Sequence, residues 1–137
     1  MSEIYQTAFL KLAGRASGAG RLDAPDATAT THNPMCGDRI TMDLKLDGDR
    51  IVALGYEIRA CLVCQASASI VGETAVGRTL DDLSDQREAI RAFLKSESDA
   101  PDDYSEFEAV RAHISRHHCV LLPYQAIQDA VSATISD

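Results

Sequence analysis

Residues 40–60, ITMDLKLDGDRIVALGYEIRA, carry the pattern that decides the fold. Ile40, Met42, Leu44 and Leu46 alternate with Thr41, Asp43 and Lys45, and further on Val52, Leu54, Tyr56, Ile58 and Ala60 alternate with Ala53, Gly55, Glu57 and Arg59. Successive side chains of a strand point to opposite faces, so each run predicts a strand with one buried face. Asp47-Gly48-Asp49 lies between them, and Asp-Gly between two alternating runs is a strong hairpin signal. A turn centred between Gly48 and Asp49 sets Cys36 opposite Cys61, with opposed Cβ atoms about 4.5 to 5.5 Å apart if pairing reaches that far. A slip of one or two residues still leaves Cys36, Asp38 and Cys61 at the same end of the hairpin.

On the N-terminal side, Ala27 to Thr31 reads as a short edge strand, and Arg15 to Asp26, dominated by Gly, Ala, Ser and Pro, as an extended or mobile loop. Ile4, Tyr5, Ala8, Phe9, Leu12 and Ala13 recur at helical spacing and predict a short amphipathic helix stopped near Gly14. On the C-terminal side, Cys64 to Val76 predicts a helix of small residues ending at Gly77, with Cys61 just ahead of its start. Thr79 with Asp82, then Ser84 ahead of Asp85 to Lys95, read as successive capped helical starts, the second with Ile90, Phe93 and Leu94 as its apolar side. Ser96 to Asp103 is an acidic loop, and Ser105 with Glu108 forms a capping-box pattern before a short helix carrying Phe107, Val110 and Ile114. The last helix opens at His118-Cys119 and carries Leu122, Ala126, Ile127, Ala130, Val131 and Thr134. Pro123 fits only its first turn, where backbone N–H groups lack intrahelical partners.

The chain has 137 residues, 45% of them hydrophobic, with no repeat and no low-complexity tract, which predicts a single domain over 1–137. Thirteen Lys and Arg against 21 Asp and Glu give a formal net charge of -8 and argue against sequence-independent nucleic-acid binding, which needs a broad basic face. Met1 to Gly14 lacks the basic start and apolar core of a secretory signal, and no run approaches membrane-spanning length, so a cytoplasmic protein without membrane contact is expected. In a reducing compartment, four cysteines read as ligands, nucleophiles or core residues before disulfides.

Chemistry concentrates in Asn33-Pro34-Met35-Cys36-Gly37-Asp38, in Cys61 and in His118-Cys119. Thiolates with an oxygen or nitrogen donor suit zinc or iron–sulfur chemistry. Free cysteine is also a common small buried hydrophobe. What favours ligands is position, since three thiols sit at the ends of elements and outside the core faces. A helix start behind Cys61 favours its thiolate. Cys61 and Cys64 form a C-x-x-C, but without the parallel βαβ setting of a thioredoxin-type pair, so Cys64 reads as facing the helix interior or as a spare thiol. Asp38 becomes a candidate labile ligand through its place beside Cys36. His118 reads equally as ligand or as a donor to one, His32, His113 and His117 read as surface residues, and Arg116 as a holder of anionic sulfur or a helix flank.

These residues resemble a known family. Cys36-Gly37-Asp38, Cys61 followed by Gln65-Ala66-Ser67-Ala68-Ser69, and His118-Cys119 with Ala126-Ile127 are similar to the U-type iron–sulfur cluster assembly proteins, the NifU N-terminal domain, IscU and SufU family. The likeness runs from Tyr5 through Gly20-Arg21-Leu22 to the last helix. It implies an α+β fold of the SufE/NifU-like kind, a small antiparallel three-stranded sheet packed on one face by helices, with the cysteines at an exposed tip. It further implies a scaffold or carrier on which Cys36, Cys61 and Cys119 hold a transient [2Fe-2S] cluster or a Zn2+ ion. Asp38 would be the exchangeable ligand, His118 an alternative one, and Cys36 and Cys119 the persulfide acceptors. The partners implied are a cysteine desulfurase and apo iron–sulfur acceptor proteins, with a homodimer left open. Arg116-His117-His118-Cys119 and the long segment from Thr79 to Ile114 resemble SufU-like members, which brings in a zinc-dependent sulfurtransferase as the alternative. His118 directly before Cys119 is the IscU-like feature, yet Ala112 to Arg116 lacks the chaperone-recognition stretch of IscU-like members.

Overall fold

The computed structural model describes residues 3–33 and 37–136 of the chain. In chain order the elements are α1 (Glu3–Arg15), β1 (Ala27–His32), β2 (Arg39–Asp47), β3 (Arg50–Arg59), α2 (Leu62–Thr74), α3 (Leu80–Leu94), a 3-10 helix (Ser105–Val110) and α4 (Ile114–Ser136). The three strands form one antiparallel sheet in the order β1-β2-β3. α4 lies across β1 and β2, α2 packs on α4, and α1 and α3 flank them, which gives the expected α+β architecture.

The hairpin forms where the alternation places it, with one irregularity. Asp47 pairs with Arg50 and Leu46 with Ile51, but Lys45 pairs with Ala53, so Val52 is an unpaired bulge residue. The bulge turns Ile51 into the core and leaves Val52 half exposed, the reverse of the faces expected from the simple alternation. It also shifts the register of everything nearer the site by one residue. The ladder ends at Arg39 opposite Arg59. Cys36 itself lies outside the described residues, so its expected pairing with Cys61 does too.

The outer face of the sheet is not bare. Thr28, Asp43 and Gly55 stand side by side across the three strands, and the segment before β1 crosses over them. Gly20 N–H donates to the Tyr56 carbonyl at 2.7 Å and Tyr56 N–H to the Gly18 carbonyl at 3.2 Å, so this strap closes part of the free edge of β3. A Cβ on Gly55 would stand 2.3 Å from the Gly20 carbonyl oxygen, and one on Gly72 only 1.8 Å from that of Ser17. The strap is therefore seated on two glycines that cannot be replaced without moving it. The expected loop is extended, as read, but fastened.

Three helical expectations need correction. Thr79 and Asp82 form a reciprocal capping box that starts one continuous α3, so Ser84 begins nothing new. Ser105 and Glu108 do not cap each other; Ser105 turns to Glu106 and Glu108 to Arg111, and the short segment is a 3-10 helix anchored by buried Phe107 and Val110. Ile114 instead opens α4, four residues before His118, and Pro123 sits well inside that helix. Pro123 has no N–H to offer the Cys119 carbonyl, and the adjacent Val120 carbonyl takes a hydrogen bond from Ser67 Oγ at 2.7 Å. Ser67 continues to Tyr104 at 3.0 Å and Tyr104 to Tyr124 at 2.8 Å, a buried hydroxyl chain joining α2, the 3-10 helix and α4 behind the site. Among the described residues no helix is long and apolar enough to cross a membrane.

Candidate metal centre

Three elements converge at the open end of the hairpin. Cys61 is the N-cap residue of α2, with extended backbone that lets the helix start directly behind its thiol. Cys119 projects from the second turn of α4 and is fully buried. Asp38 precedes β2 and is also buried. One ligand atom from each of Asp38, Cys61 and Cys119 lies within 4.8 Å of the other two.

The loop ahead of β2 is closed by its own backbone. Asn33 N–H donates to the Asp38 carbonyl at 2.8 Å, and Gly37 N–H to the Asn33 carbonyl at 3.0 Å. Gly37 has φ of 75°, the left-handed region in which glycine carries no Cβ penalty. This fixes the Asp38 carboxyl, whose Oδ1 accepts from Cys61 N–H at 3.1 Å. Its Oδ2 is buried and meets no hydrogen-bond partner among the described residues. A buried carboxylate oxygen without a partner costs several times what a satisfied one does, and a cation beside it removes that cost.

The two sulfurs share a proton unequally. A hydrogen bond from Cys119 is the main influence that brings the Cys61 thiol down to about 7; burial opposes it, the Cys64 amide assists, and Asp38 opposes. Cys119, as the donor, is pushed far up by that same bond, by burial and by the charge on Cys61. Asn33 Nδ2 also donates to Cys119 Sγ at 3.7 Å, a long contact to a soft acceptor. Arg116 lies on the exposed side of the pair, and its guanidinium is stabilised in the charged form first by Cys61 and then by Cys119. The metal-free site is thus one thiolate, one thiol, one half-satisfied carboxyl and a cation at the rim. Two thiolates and a carboxylate suit zinc or ferrous and ferric iron, and binding would displace the shared proton.

Of the other residues singled out in the sequence, Cys64 is buried in the core as a packing residue. His118 is exposed and, with His117, lines a groove between α3 and α4, outside the three-donor group. Adjacent helix positions are about 100° apart, so His118 and Cys119 address different surfaces. His117 Nε2 is 3.0 Å from the Arg111 carbonyl. Asn33 carries no functional sign in the sequence beyond the Asn-Pro pair that favours a turn.

Known proteins match the chain along nearly its whole length. The NifU-like N terminal domain family matches residues 4–134. The crystal structure of a nitrogen-fixing NifU-like protein (N-terminal) from Brucella abortus superposes with a TM-score of 0.89 at 33% identity, covering 98% of this chain and 96% of that one. The zinc-dependent sulfurtransferase SufU of Bacillus subtilis is 28% identical over 105 residues, 74% of this chain and 71% of its own length. The iron–sulfur cluster assembly scaffold protein IscU of Thermotoga maritima is 23% identical over 131 residues, 93% of this chain and 92% of its own.

Proposed function

The chain belongs to the NifU-like N terminal domain family, and from that premise we propose that it is an iron–sulfur cluster assembly scaffold or carrier. It accepts persulfide sulfur from a cysteine desulfurase, holds a labile [2Fe-2S] cluster on Cys36, Asp38, Cys61 and Cys119, and passes the cluster to apo-proteins. The observation that carries this reading is the convergence of Asp38, Cys61 and Cys119 within 4.8 Å, with one Asp38 oxygen buried and without a partner among the described residues.

Sulfur transfer is a displacement at sulfur. A thiolate attacks the terminal sulfur of the desulfurase persulfide, a new S–S bond forms, the old one breaks, and the desulfurase cysteine leaves as thiolate. In the metal-free chain Cys61 is the readier nucleophile, because it is partly exposed and holds the thiolate while Cys119 holds the proton. Cys61 therefore joins Cys36 and Cys119, which the family resemblance implies as acceptors. Arg116 at the rim would hold the anionic persulfide. Asp38 is the hard, weakly held donor among soft ones, which suits a cargo that must leave.

The test is anaerobic incubation of the protein with ferrous iron, cysteine, a desulfurase and a thiol reductant, which supplies the electrons that turn persulfide sulfur into sulfide. Visible absorbance of a cluster should appear and then be lost to an added apo-ferredoxin. Reconstitution that gives no absorbance at any iron concentration would end this reading. The favourable charge interaction of Arg116 with both sulfurs supports a second reading, a zinc-dependent sulfurtransferase that stimulates a desulfurase. Zinc, when bound, would be held by the same donors and would keep the thiols deprotonated. Tightly held zinc, no cluster and faster desulfurase turnover would select that reading.

A further inference from the structure

Beside the site, a groove of about 460 Å³ runs between α3 and α4. Arg87 and Arg91 of α3 and Lys95 just past its end recur four residues apart and form one wall, while His117, His118 and Leu121 of α4 form the other. Among the described residues no Asp or Glu lines it, in a chain whose acidic residues outnumber its basic ones 21 to 13. Its apolar surface includes Ile114, which is 78% exposed at the rim. At one end it reaches Asn33, whose amide touches the Cys119 sulfur.

From this we propose that the groove docks an acidic acceptor protein, through a segment that sets carboxylates against Arg91 and Lys95 and an apolar side chain against Ile114 and Leu121. The net charge of -8 repels an acidic partner from most of the surface. The groove is where that repulsion is reversed, so it selects the approach that brings the partner beside the thiols. Arg87 is fixed by Gln125 and Gln128, both at 2.6 Å, and forms a rigid floor. Arg91 is shared with Glu88 at 2.9 Å but remains 40% exposed, and Lys95 is exposed, so these two are the cations free to meet a partner's carboxylates. Rim charges of this kind govern encounter rate and orientation more than final affinity. Only the partner's identity as an acceptor rests on the carrier reading proposed above.

The experiment uses an acidic apo-[2Fe-2S] ferredoxin as probe and two double variants of equal charge change. R91E/K95E alters the groove, and K11E/K45E alters positions outside it. Binding is read by amide chemical shifts of the zinc-loaded protein, which needs no cluster, and transfer is read separately as the ferredoxin concentration at half-maximal rate. Ferredoxin should perturb the Leu94, Ile114 and Leu121 amides. R91E/K95E should raise the half-saturating concentration about tenfold, and K11E/K45E less than about twofold. Shifts in the groove without any cluster transfer would leave the docking surface standing and remove the carrier reading. Unperturbed groove amides, or equal effects of the two double variants, would overturn the proposal. So would perturbation of the groove by a desulfurase and not by ferredoxin.

Discussion

Asp38 and Asp43 are both buried carboxylates, five positions apart on either side of the start of β2, and they are treated in opposite ways. Asp43 is fully satisfied: Arg21 Nε donates at 2.6 Å and Nη2 at 3.1 Å, Leu22 N–H at 3.1 Å, and the Thr28 hydroxyl completes the set. Asp38 keeps one oxygen on the Cys61 amide and leaves the other without a partner among the described residues. The protein can plainly satisfy a buried carboxylate when its role is to hold the strap on the sheet. That the described residues do not complete Asp38 marks the difference between a closed structural joint and a donor left open.

The largest effect should follow from opening the closed one. Asp43→Ala should destabilise the fold by about 2–3 kcal/mol in a denaturant titration, since Thr28 and the Leu22 amide lose a charged acceptor. Burial alone would raise the Asp43 carboxyl, but Arg21, Thr28 and Leu22 outweigh it and hold it below its ordinary 3.8. A folded-state pKa below the unfolded one gives stability that is full above 3.8 and lost as pH falls through the depressed value. The acid limb of a stability curve should therefore flatten in Asp43→Ala. An unchanged acid limb would remove Asp43 from its assigned place.

Asp38→Ala should do the reverse. Stability of the metal-free protein should change by less than about 1 kcal/mol, while the cluster becomes longer-lived and its transfer slower, on the order of tenfold. The same rate of visible signal loss to apo-ferredoxin in both proteins would break the contrast between the two carboxylates. A smaller effect concerns the thiols. In metal-free protein, alkylation of Cys61 should rise through a half-point near pH 7, whereas Cys119 should stay protected until the fold opens. Peptide mapping that finds Cys119 labelled first would reverse the proton placement. Smallest of all, Asn33→Ala should shorten cluster lifetime by about twofold or less, because the backbone bonds of residue 33 keep the loop closed without its side chain and the sulfur contact is long.

The hairpin, the edge strand and the meeting of Asp38 with Cys61 could be read from alternation and one turn. The bulge could not, because Ile51 and Val52 are both apolar and nothing local says which faces inward. Asp43 sits at a position that alternation assigns to solvent. Only the strap, threaded over Gly55 from far earlier in the chain, buries it. Pro123 suggested a helix start through local chemistry, but tertiary packing extends α4 back to Ile114 and gives the Val120 carbonyl a hydroxyl partner from α2. The groove was invisible for the same reason. Arg87, Arg91 and Lys95 lie off the apolar side of Ile90, Phe93 and Leu94, and nothing local shows that α4 is laid beside them.

The turn end of the hairpin is clamped by the α2–α3 connection. Ile51 N–H donates to the Arg78 carbonyl at 3.0 Å, Gly77 N–H to Ile51 at 2.8 Å, and Leu80 N–H to Asp49 at 2.8 Å. The donors of the candidate site lie at the opposite end, beyond the last strand pair. The two ends are about 30 Å apart for a nine-residue strand, and the far one is tied in as well, through Cys61 at the start of α2 and Cys119 in α4. The hairpin is thus a strut between two helical attachments, and the spacing of the candidate donors is set by α2 and α4 as much as by the strand ladder.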